Sequence, residues 1–271
     1  MKRITTSTRT SKRSPEDKAA AAQKKIHSVN MSFEWLKLLA YGNNGKGKTR
    51  FGASGPRPLL VVDCNEKGTL SIRNFSEVDV FPIEIFTDVD LAFWHLKRGG
   101  HKYQTVVIDT VTSLAQLCMK FVLGDESSRD PTKDPNMPSK REWGKVGELM
   151  RTVILNFRNL PMNVVFLAQE RRGFSDDEEE APEVFPEVSP SVRTTLTASV
   201  DIIGRMYFKE VVRKGEDGKG KGTQPEYRIL IGPSERYVTK DRSEAGLPGI
   251  IRLGAGEDNL AKLVDRIKKG A

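Results

Sequence analysis

Short runs of apolar residues alternate along the chain with segments in which apolar residues recur every three or four positions. Strands are predicted at the apolar runs, which cover residues 36–41, 59–63, 81–86, 105–109, 163–168 and 201–208. Helices are predicted where the spacing is helical, at residues 88–98, 111–123 and 141–160. This alternation predicts an α/β fold with a mostly parallel central sheet flanked by helices.

The last third of the chain has a different pattern. Residues 227–231, 236–239 and 250–253 lie between Gly and Pro turns and are predicted to be short antiparallel strands, followed by a closing helix at 257–269. The Gly/Lys stretch 214–222 is interpreted as a flexible turn. The parallel sheet is therefore expected to carry C-terminal antiparallel strands.

Two long polar stretches, 124–140 and 170–190, interrupt this pattern, and each contains three prolines. Loops of this length inside a compact domain are usually functional or disordered. Both are therefore candidates for binding loops.

Positive charge is concentrated at the N-terminus. The chain of 271 residues has 44 Lys and Arg and 36 Asp and Glu, a net charge of +8; residues 1–30 hold eight basic and two acidic residues, so they carry 8 − 2 = +6 of it. Because this segment is also poor in large apolar residues, it is predicted to be a disordered basic arm, followed by one domain at residues 31–271. An organellar transit peptide has a similar composition, whereas a secretory signal would need an apolar stretch that is missing.

Cysteine usage and hydropathy favour a cytoplasmic protein. Cys64 and Cys118 both lie among apolar residues, which indicates buried thiols in a reducing compartment. The sequence contains no run of 18 apolar residues, so no membrane partner is expected.

The stretch from Gly42 to Thr49 fits the phosphate-binding pattern G-x-x-x-x-G-K-[ST] and follows a predicted strand. Glycines let the backbone wrap around a phosphate chain, the lysine reaches the β- and γ-phosphates, and the threonine hydroxyl ligates Mg²⁺. ATP and Mg²⁺ are the predicted cofactors. The predicted nucleotide-binding residues are Gly42, Asn43, Asn44, Gly45, Lys46, Gly47, Lys48, Thr49 and Arg50.

The predicted strand 105–109 ends in Asp109, which is the candidate Walker B carboxylate that holds Mg²⁺ through water. A cap of the following helix is the alternative role for this aspartate. Thr110 follows it rather than Glu, so the AAA+ arrangement with a catalytic glutamate beside the Walker B aspartate is absent. No N-K-x-D motif occurs either, which argues against a GTPase.

Two further motifs narrow the class of P-loop protein. The apolar strand 163–168 is followed by Gln169, and Lys240-Asp241-Arg242 is followed by the Gly246-Leu247-Pro248-Gly249 turn. With the phosphate loop and Asp109, their order resembles the phage-encoded, core-only RecA-like P-loop ATPases of the Sak-four type, which are single-strand annealing and recombination proteins. The resemblance covers roughly residues 35–269.

This resemblance implies a RecA-like P-loop NTPase core in residues 31–271 and assigns roles to single residues. Glu66, just after the second predicted strand, would be the general base that activates water, with Asp63 as the alternative. Gln169 would sense the γ-phosphate. Lys240 and Arg242 would enter the ATP site of the neighbouring subunit, where an arginine stabilises the charge that develops on the transferred phosphoryl group. Lys48 completes the set of predicted catalytic residues.

The resemblance also implies partners. It predicts ATP-dependent binding to single-stranded DNA and a homo-oligomer, ring or filament, with ATP at the subunit interfaces. A single-strand-binding protein is a further candidate partner, and the cytoplasm of a bacterial host is the expected location if the chain is phage-encoded. The acidic run 176–180 and the Asn65 spacer before Glu66 depart from the pattern of the family.

By the same resemblance, the loops at 124–142 and 170–193 would line the path of the DNA. Basic side chains would neutralise phosphates, and Phe174 and Trp143 would stack on bases. Acidic residues between 176 and 187 oppose this locally, and the basic arm is a second candidate contact. The predicted DNA-binding residues are Arg129, Lys133, Lys140, Arg141, Arg171, Arg172, Phe174 and Arg193.

Three functions are compatible with these motifs. The first is an ATPase stimulated by single-stranded DNA that drives recombination or annealing. The second is a nucleotide-gated annealing or loading module with little turnover, and the third is a replicative helicase or helicase loader. The third is weakened because no second domain is recognisable in the sequence.

Overall fold

The computed structural model describes residues 14–24, 26, 34–129, 137–174, 181–214 and 221–270, and it divides the chain into two units, residues 1–32 and 33–271. The first unit contains helix α1 (Pro15–Gln23). A capping box begins it, because the Asp17 N–H donates to Ser14 Oγ (3.0 Å) and the Ser14 N–H donates to Asp17 Oδ2 (3.2 Å). The sequence predicts no ordered element in this arm, but Pro15 and a run of alanines favour the helix. None of its side chains is buried.

The second unit alternates strands and helices. Its helices are α2 (Lys48–Gly52), α3 (Asp88–Arg98), α4 (Val111–Arg129), α5 (Lys140–Arg158), α6 (Pro190–Ser199) and α7 (Asn259–Gly270). Its strands are β1 (Lys37–Tyr41), β2 (Leu59–Asp63), β3 (Val78–Pro82), β4 (Thr105–Asp109), β5 (Asn163–Ala168), β6 (Glu170–Arg172), β7 (Val184–Pro186), β8 (Ile202–Lys214), β9 (Lys221–Leu230), β10 (Lys240–Asp241) and β11 (Ile250–Arg252).

Nine of these strands form one sheet in the order β11-β9-β8-β1-β5-β4-β2-β3, with β10 paired to β8. From β8 to β3, each strand is parallel to its neighbours in the sheet. The strands from the last part of the chain pair antiparallel: β9 and β10 with β8, and β11 with β9. The predicted α/β fold with C-terminal antiparallel strands is therefore confirmed. Strand β5 lies between β1 and β4, so the residue after β5 lies between the segments that follow the other two strands.

Helices cover both faces of the sheet, and the side chains of β1 alternate between them. Leu39 and Tyr41 belong to the core cluster that includes side chains of α3, α4, α5 and α6, whereas Leu38 and Ala40 belong to the cluster that includes side chains of α2 and α7. Strands β2, β4 and β5 are buried along their whole length, as expected for parallel strands with helices on both faces. The carboxyl ends of β1, β4 and β5 therefore meet at one edge of the sheet.

The structure corrects several predicted boundaries. The third strand was expected at 81–86 but lies at 78–82, because β3 is a partly exposed edge strand and the apolar Ile83 and Phe86 enter the core only after it ends. No strand runs through 236–239, where Tyr237 forms one isolated bridge to Val184. Strands β8 and β9 reach into the stretch that was interpreted as a turn.

Candidate nucleotide site and second cavity

A cavity of about 790 Å³ opens at the edge where β1, β4 and β5 end. The phosphate loop crosses this edge between β1 and α2, and most of it lines the cavity: Asn44, Gly45, Gly47, Lys48, Thr49 and Arg50. Glu66, Asp109 and Gln169 line the same cavity from the ends of three other segments. The volume lies in the range expected for a site that binds a small molecule.

Two glycines of this loop are required by its geometry. A Cβ on Gly42 would lie 2.5 Å from the carbonyl oxygen of Met206, so no side chain fits there without a shift of β8. Gly47 has a φ of 82°, in the left-handed region that L-residues with side chains rarely adopt. The glycine pattern therefore follows from the path of the backbone.

Lys48 is buried and directed at the end of β5. Its ammonium donates hydrogen bonds to the carbonyl oxygens of Gly42 (2.9 Å) and Asn43 (3.1 Å) and to Gln169 Oε1 (2.8 Å). Burial lowers the pKa of this lysine, while the charges of Asp109, Glu66 and Glu170 oppose the shift. The position of β5 between β1 and β4 thus brings the phosphate-loop lysine and the predicted sensor glutamine into contact.

Thr49 and Asp109 lie in contact and present two side-chain oxygens that suit Mg²⁺. Thr49 Oγ1 donates to Asp109 Oδ2 at 2.7 Å. Burial raises the pKa of Asp109 to about 6, the hydrogen bond from Thr49 opposes this shift, and the nearby carboxylates of Glu66 and Asp63 add to it. A hydroxyl and a carboxylate oxygen are ligands that Mg²⁺ prefers, and this ion is commonly held by one or two protein oxygens together with phosphates and water. The two residues present therefore fit the predicted metal.

The two candidate bases occupy different environments. Glu66 lines the cavity, and its Oε1 accepts hydrogen bonds from Thr110 Oγ1 (2.8 Å) and Ser113 Oγ (2.6 Å). Asp63 Oδ1 instead accepts the backbone N–H groups of Glu66 (2.9 Å) and Lys67 (3.2 Å), so it shapes the turn that carries Glu66. This geometry favours Glu66 over Asp63. The hydroxyls of Thr110 and Ser113 were not predicted from the sequence, although they lie in the first turn after Asp109.

A family model described as an AAA domain matches residues 34–243, which is most of the chain. The chain belongs to this AAA domain family. The match assigns a P-loop ATPase domain, and the matched segment contains the phosphate loop, Asp109 and β5. In this AAA domain Thr110 follows Asp109, the candidate Walker B aspartate, and Glu66 after β2 places a further carboxylate in the cavity. The RecA-like phage subtype stays a prediction.

No curated protein matches the sequence of the AAA domain. None of the helices in the described ranges is long and apolar enough to cross a membrane. Within those ranges, no group of three or more His, Cys, Asp or Glu side chains forms a metal site by itself.

Three residues of the predicted nucleotide-binding set contact the protein instead of lining the cavity. Asn43 Nδ2 donates to Glu170 Oε1, and Glu170 forms a buried ion pair with Arg205 of β8 (2.9 Å). The Lys46 ammonium lies 3.7 Å from the centroid of the Phe208 ring, also on β8. Gly42 contributes its carbonyl oxygen to Lys48. Strand β8 therefore supports the outer side of the phosphate loop.

Lys240 and Arg242 lie far from the phosphate loop of their own chain. The Arg242 N–H donates to the Asp201 carbonyl (3.1 Å), and the Asp201 N–H donates to the carbonyl of Lys37, the first residue of β1 (2.7 Å). Since the phosphate loop follows the last residue of β1, about 16 Å of strand separates this loop from Lys37 and from the Arg242 backbone near it. The Arg242 side chain is exposed, whereas the Lys240 ammonium donates to the Thr197 carbonyl of α6. A role of Arg242 in ATP hydrolysis therefore requires a second subunit.

A second cavity, of about 760 Å³, is lined by most of the predicted DNA-binding residues that the structure describes. It lies between α4, the first turn of α5, the β6–β7 hairpin and the start of α6. Basic and aromatic side chains share its wall: Lys120, Trp143, Arg171, Arg172, Phe174, Phe185 and Arg193. Phe174 is 96% exposed and Trp143 is 50% exposed, and the Arg193 guanidinium lies 3.7 Å from the Phe185 ring centroid.

The remaining predicted DNA-binding residues lie elsewhere. Lys140 and Arg141 are exposed on the same first turn of α5 as Trp143, but they do not line the second cavity. Lys133 and the side chain of Arg129 lie outside the described residues, as does the acidic run 176–180. The cavity was not predicted as such, because it depends on α6 and on the β6–β7 hairpin, which the sequence pattern did not indicate.

Proposed function

We propose that this AAA domain binds and hydrolyses ATP with Mg²⁺ and acts on single-stranded DNA in recombination or annealing. The observation that carries the proposal is the second cavity, where Arg171, Arg172 and Arg193 lie beside the aromatic faces of Phe174 and Trp143. Guanidinium groups neutralise the phosphates of a single strand, and exposed aromatic rings stack on unpaired bases. A groove that combines the two suits unpaired nucleic acid.

Contacts within one short segment support a coupling of the two cavities. Thr110 and Ser113 donate to Glu66 in the nucleotide cavity. Thr112, which lines the second cavity, accepts the backbone N–H of Gln169 at 3.0 Å. Nucleotide bound near Glu66 and Gln169 and a strand bound near Thr112 would therefore act on the same four residues. This proximity favours hydrolysis that responds to DNA.

Hydrolysis in this proposal takes place in a homo-oligomer. Within one chain, the lysine, the magnesium ligands and the base of the proposed site all lie around the phosphate loop. The exposed Arg242 lies at the opposite end of β1. An arginine that reaches the terminal phosphate from a neighbouring subunit would complete the site. The proposal therefore places ATP at the contact between protomers of a ring or filament.

The test is binding of a fluorescein-labelled oligothymidine, followed by anisotropy at several salt concentrations. Each neutralised phosphate of a single strand contributes about −0.7 to the slope of log K against log salt. Replacing Arg171 and Arg172 together by alanine should reduce the steepness of this slope by about 1.4, which is 2 × 0.7. Phe174→Ala should weaken binding by about 1–3 kcal/mol with little change in the slope, because a stacking contact involves no phosphate.

A double alanine variant at Lys97 and Arg98 is the matched control. These residues are exposed on α3, and neither lines the second cavity. The control removes the same net charge and should leave the slope unchanged. Equal slopes for both double variants, or ATP turnover that single-stranded DNA does not stimulate, would contradict the proposal.

A further inference from the structure

The nucleotide cavity has a wall that the phosphate chemistry does not use. In the proposed function, the phosphates, the metal and the attacking water are bound by Lys48, Thr49, Glu66, Asp109 and Gln169. The other side of the cavity is formed by β9 and by the turn between β11 and α7, at residues 253–259. This turn follows the segment matched by the family model, which ends at residue 243.

Three apolar side chains form a row across the strands at this wall. Phe208 and Tyr227 are directly paired in the β8–β9 register, and their rings are 6.1 Å apart in an edge-to-face arrangement. The Leu253 N–H donates to the Tyr227 carbonyl at 2.9 Å, which places Leu253 opposite Tyr227 on the other side of β9. Opposite residues of antiparallel strands point to the same face of a sheet, so the three side chains lie side by side.

The row lies against the phosphate loop and opens into the cavity. A Cβ placed on Gly47 would lie 3.4 Å from Tyr227 Cδ1, so the tyrosine ring contacts the backbone just before Lys48. Tyr227 and Leu253 both line the cavity, and Tyr227 remains 37% exposed. A half-exposed aromatic ring beside a phosphate-binding loop is a suitable surface for a flat heterocycle.

The Asn259 side chain bridges the turn that carries Leu253. Asn259 Oδ1 accepts the N–H of Gly254 (2.8 Å), and Asn259 Nδ2 donates to the carbonyls of Gly254 (3.1 Å) and Gly256 (3.0 Å). Helix α7, which begins at Asn259, is anchored to the end of the α2 region, because the Leu260 N–H donates to Ser54 Oγ (3.0 Å). The turn therefore has a fixed position relative to the phosphate loop.

We propose that Tyr227 and Leu253 form a platform on which the nucleobase of the bound triphosphate stacks, with Asn259 as the residue that positions the turn. This inference rests on the proposed function, since it takes the ligand to be a nucleoside triphosphate with its phosphates at Lys48. It assigns the binding of the base to the C-terminal part of the chain, which the phosphate-loop motif does not indicate.

The test compares two ligands that share a triphosphate, of which only one carries a nucleobase, attached through ribose. Mg²⁺-ATP and Mg²⁺-tripolyphosphate are titrated into the full-length protein by isothermal calorimetry. Tyr227→Ala should weaken ATP binding by at least about fivefold, from the range of base–aromatic stacking, and leave tripolyphosphate binding unchanged. Tyr227→Phe keeps the ring and should retain the affinity for ATP. Asn259→Ala should reproduce the selective loss.

Val212→Ala is the matched control, because Val212 is exposed on the same β8–β9 ribbon and does not line the cavity. It should change the affinity for neither ligand, and circular dichroism checks that every variant is folded. If Tyr227→Ala weakens both ligands by the same factor, the ring only supports Gly47 and the platform is wrong. The platform is equally wrong if the alanine changes neither affinity, or if the unaltered protein binds tripolyphosphate as tightly as ATP. A protein that binds neither ligand would overturn the proposed function as well.

Discussion

Glu66→Gln replaces one carboxylate oxygen by an amide nitrogen and keeps the length of the side chain. Its Oε1 accepts from Thr110 Oγ1 and Ser113 Oγ, and an amide oxygen in the same place keeps both hydrogen bonds. The change therefore removes the proton acceptor and leaves its position intact. A positioned general base contributes about 10²–10⁴-fold to a rate, so the barrier to hydrolysis should rise by about 3–5 kcal/mol.

ATP binding should survive this change. Glu66 lies in the same cavity as the predicted phosphate site, so the loss of its negative charge does not disfavour a polyphosphate. The assay is steady-state phosphate release at saturating Mg²⁺-ATP, with the dissociation constant measured separately by a fluorescent nucleotide. Asp63→Asn is the control: its oxygen still accepts the Glu66 and Lys67 N–H groups, so turnover should remain within a few-fold of the unaltered protein.

Glu66 is not the general base if Glu66→Gln retains more than about a tenth of the turnover, because the loss of a general base should leave about a hundredth or less. The assignment is also refuted if Asp63→Asn loses as much activity as Glu66→Gln. An annealing assay with the same variant separates the first two functions. Annealing that disappears together with hydrolysis supports a DNA-stimulated ATPase, and annealing that persists supports a nucleotide-gated module.

Lys48→Ala should weaken ATP binding by about a hundredfold or more in a calorimetric titration, because it removes a buried cation from the phosphate site; near-normal affinity would contradict this. Arg242→Ala should reduce phosphate release by about a thousandfold and leave the affinity for ATP largely intact, as expected for a group supplied in trans; normal turnover would remove that role. Cys64 and Cys118 are fully buried, and burial raises the pKa of both thiols, that of Cys118 to about 12. Both should therefore be unreactive toward Ellman's reagent at pH 8 and react only on denaturation, and rapid labelling of the native protein would contradict their burial.

The parts of the fold that could be predicted are those specified by local patterns. The buried strands β1, β2, β4 and β5 are continuous apolar runs, and the polar residues that follow them meet at one edge because parallel strands end together. Asp109 could be assigned from the end of its predicted strand, whereas the resemblance to RecA-like ATPases assigned Glu66 and Gln169 to the same site. The structure brings them into one cavity with Lys48.

The parts that could not be predicted depend on long-range pairing or on weak local signals. Helix α6 contains five Ser and Thr residues in ten positions, which obscures its helical pattern, although Ser189-Pro190 is a recognisable start. The wall formed by Tyr227 and Leu253 depends on the antiparallel register of β8, β9 and β11, which apolar runs alone do not fix. The short β3 was misplaced because it is a partly exposed edge strand, and the apolar Ile83 and Phe86 that enter the core follow it.

Strand β8 connects the two ends of the sheet. It begins beside Asp241 and Arg242 and, about 20 Å further along, places Phe208 under the Lys46 ammonium of the phosphate loop. In an assembly in which Arg242 contacts the terminal phosphate of the nucleotide bound by a neighbouring subunit, β8 would connect that contact to the phosphate loop of its own subunit. In such an assembly the nucleotide state of one subunit would influence the affinity for nucleotide of the subunit beside it.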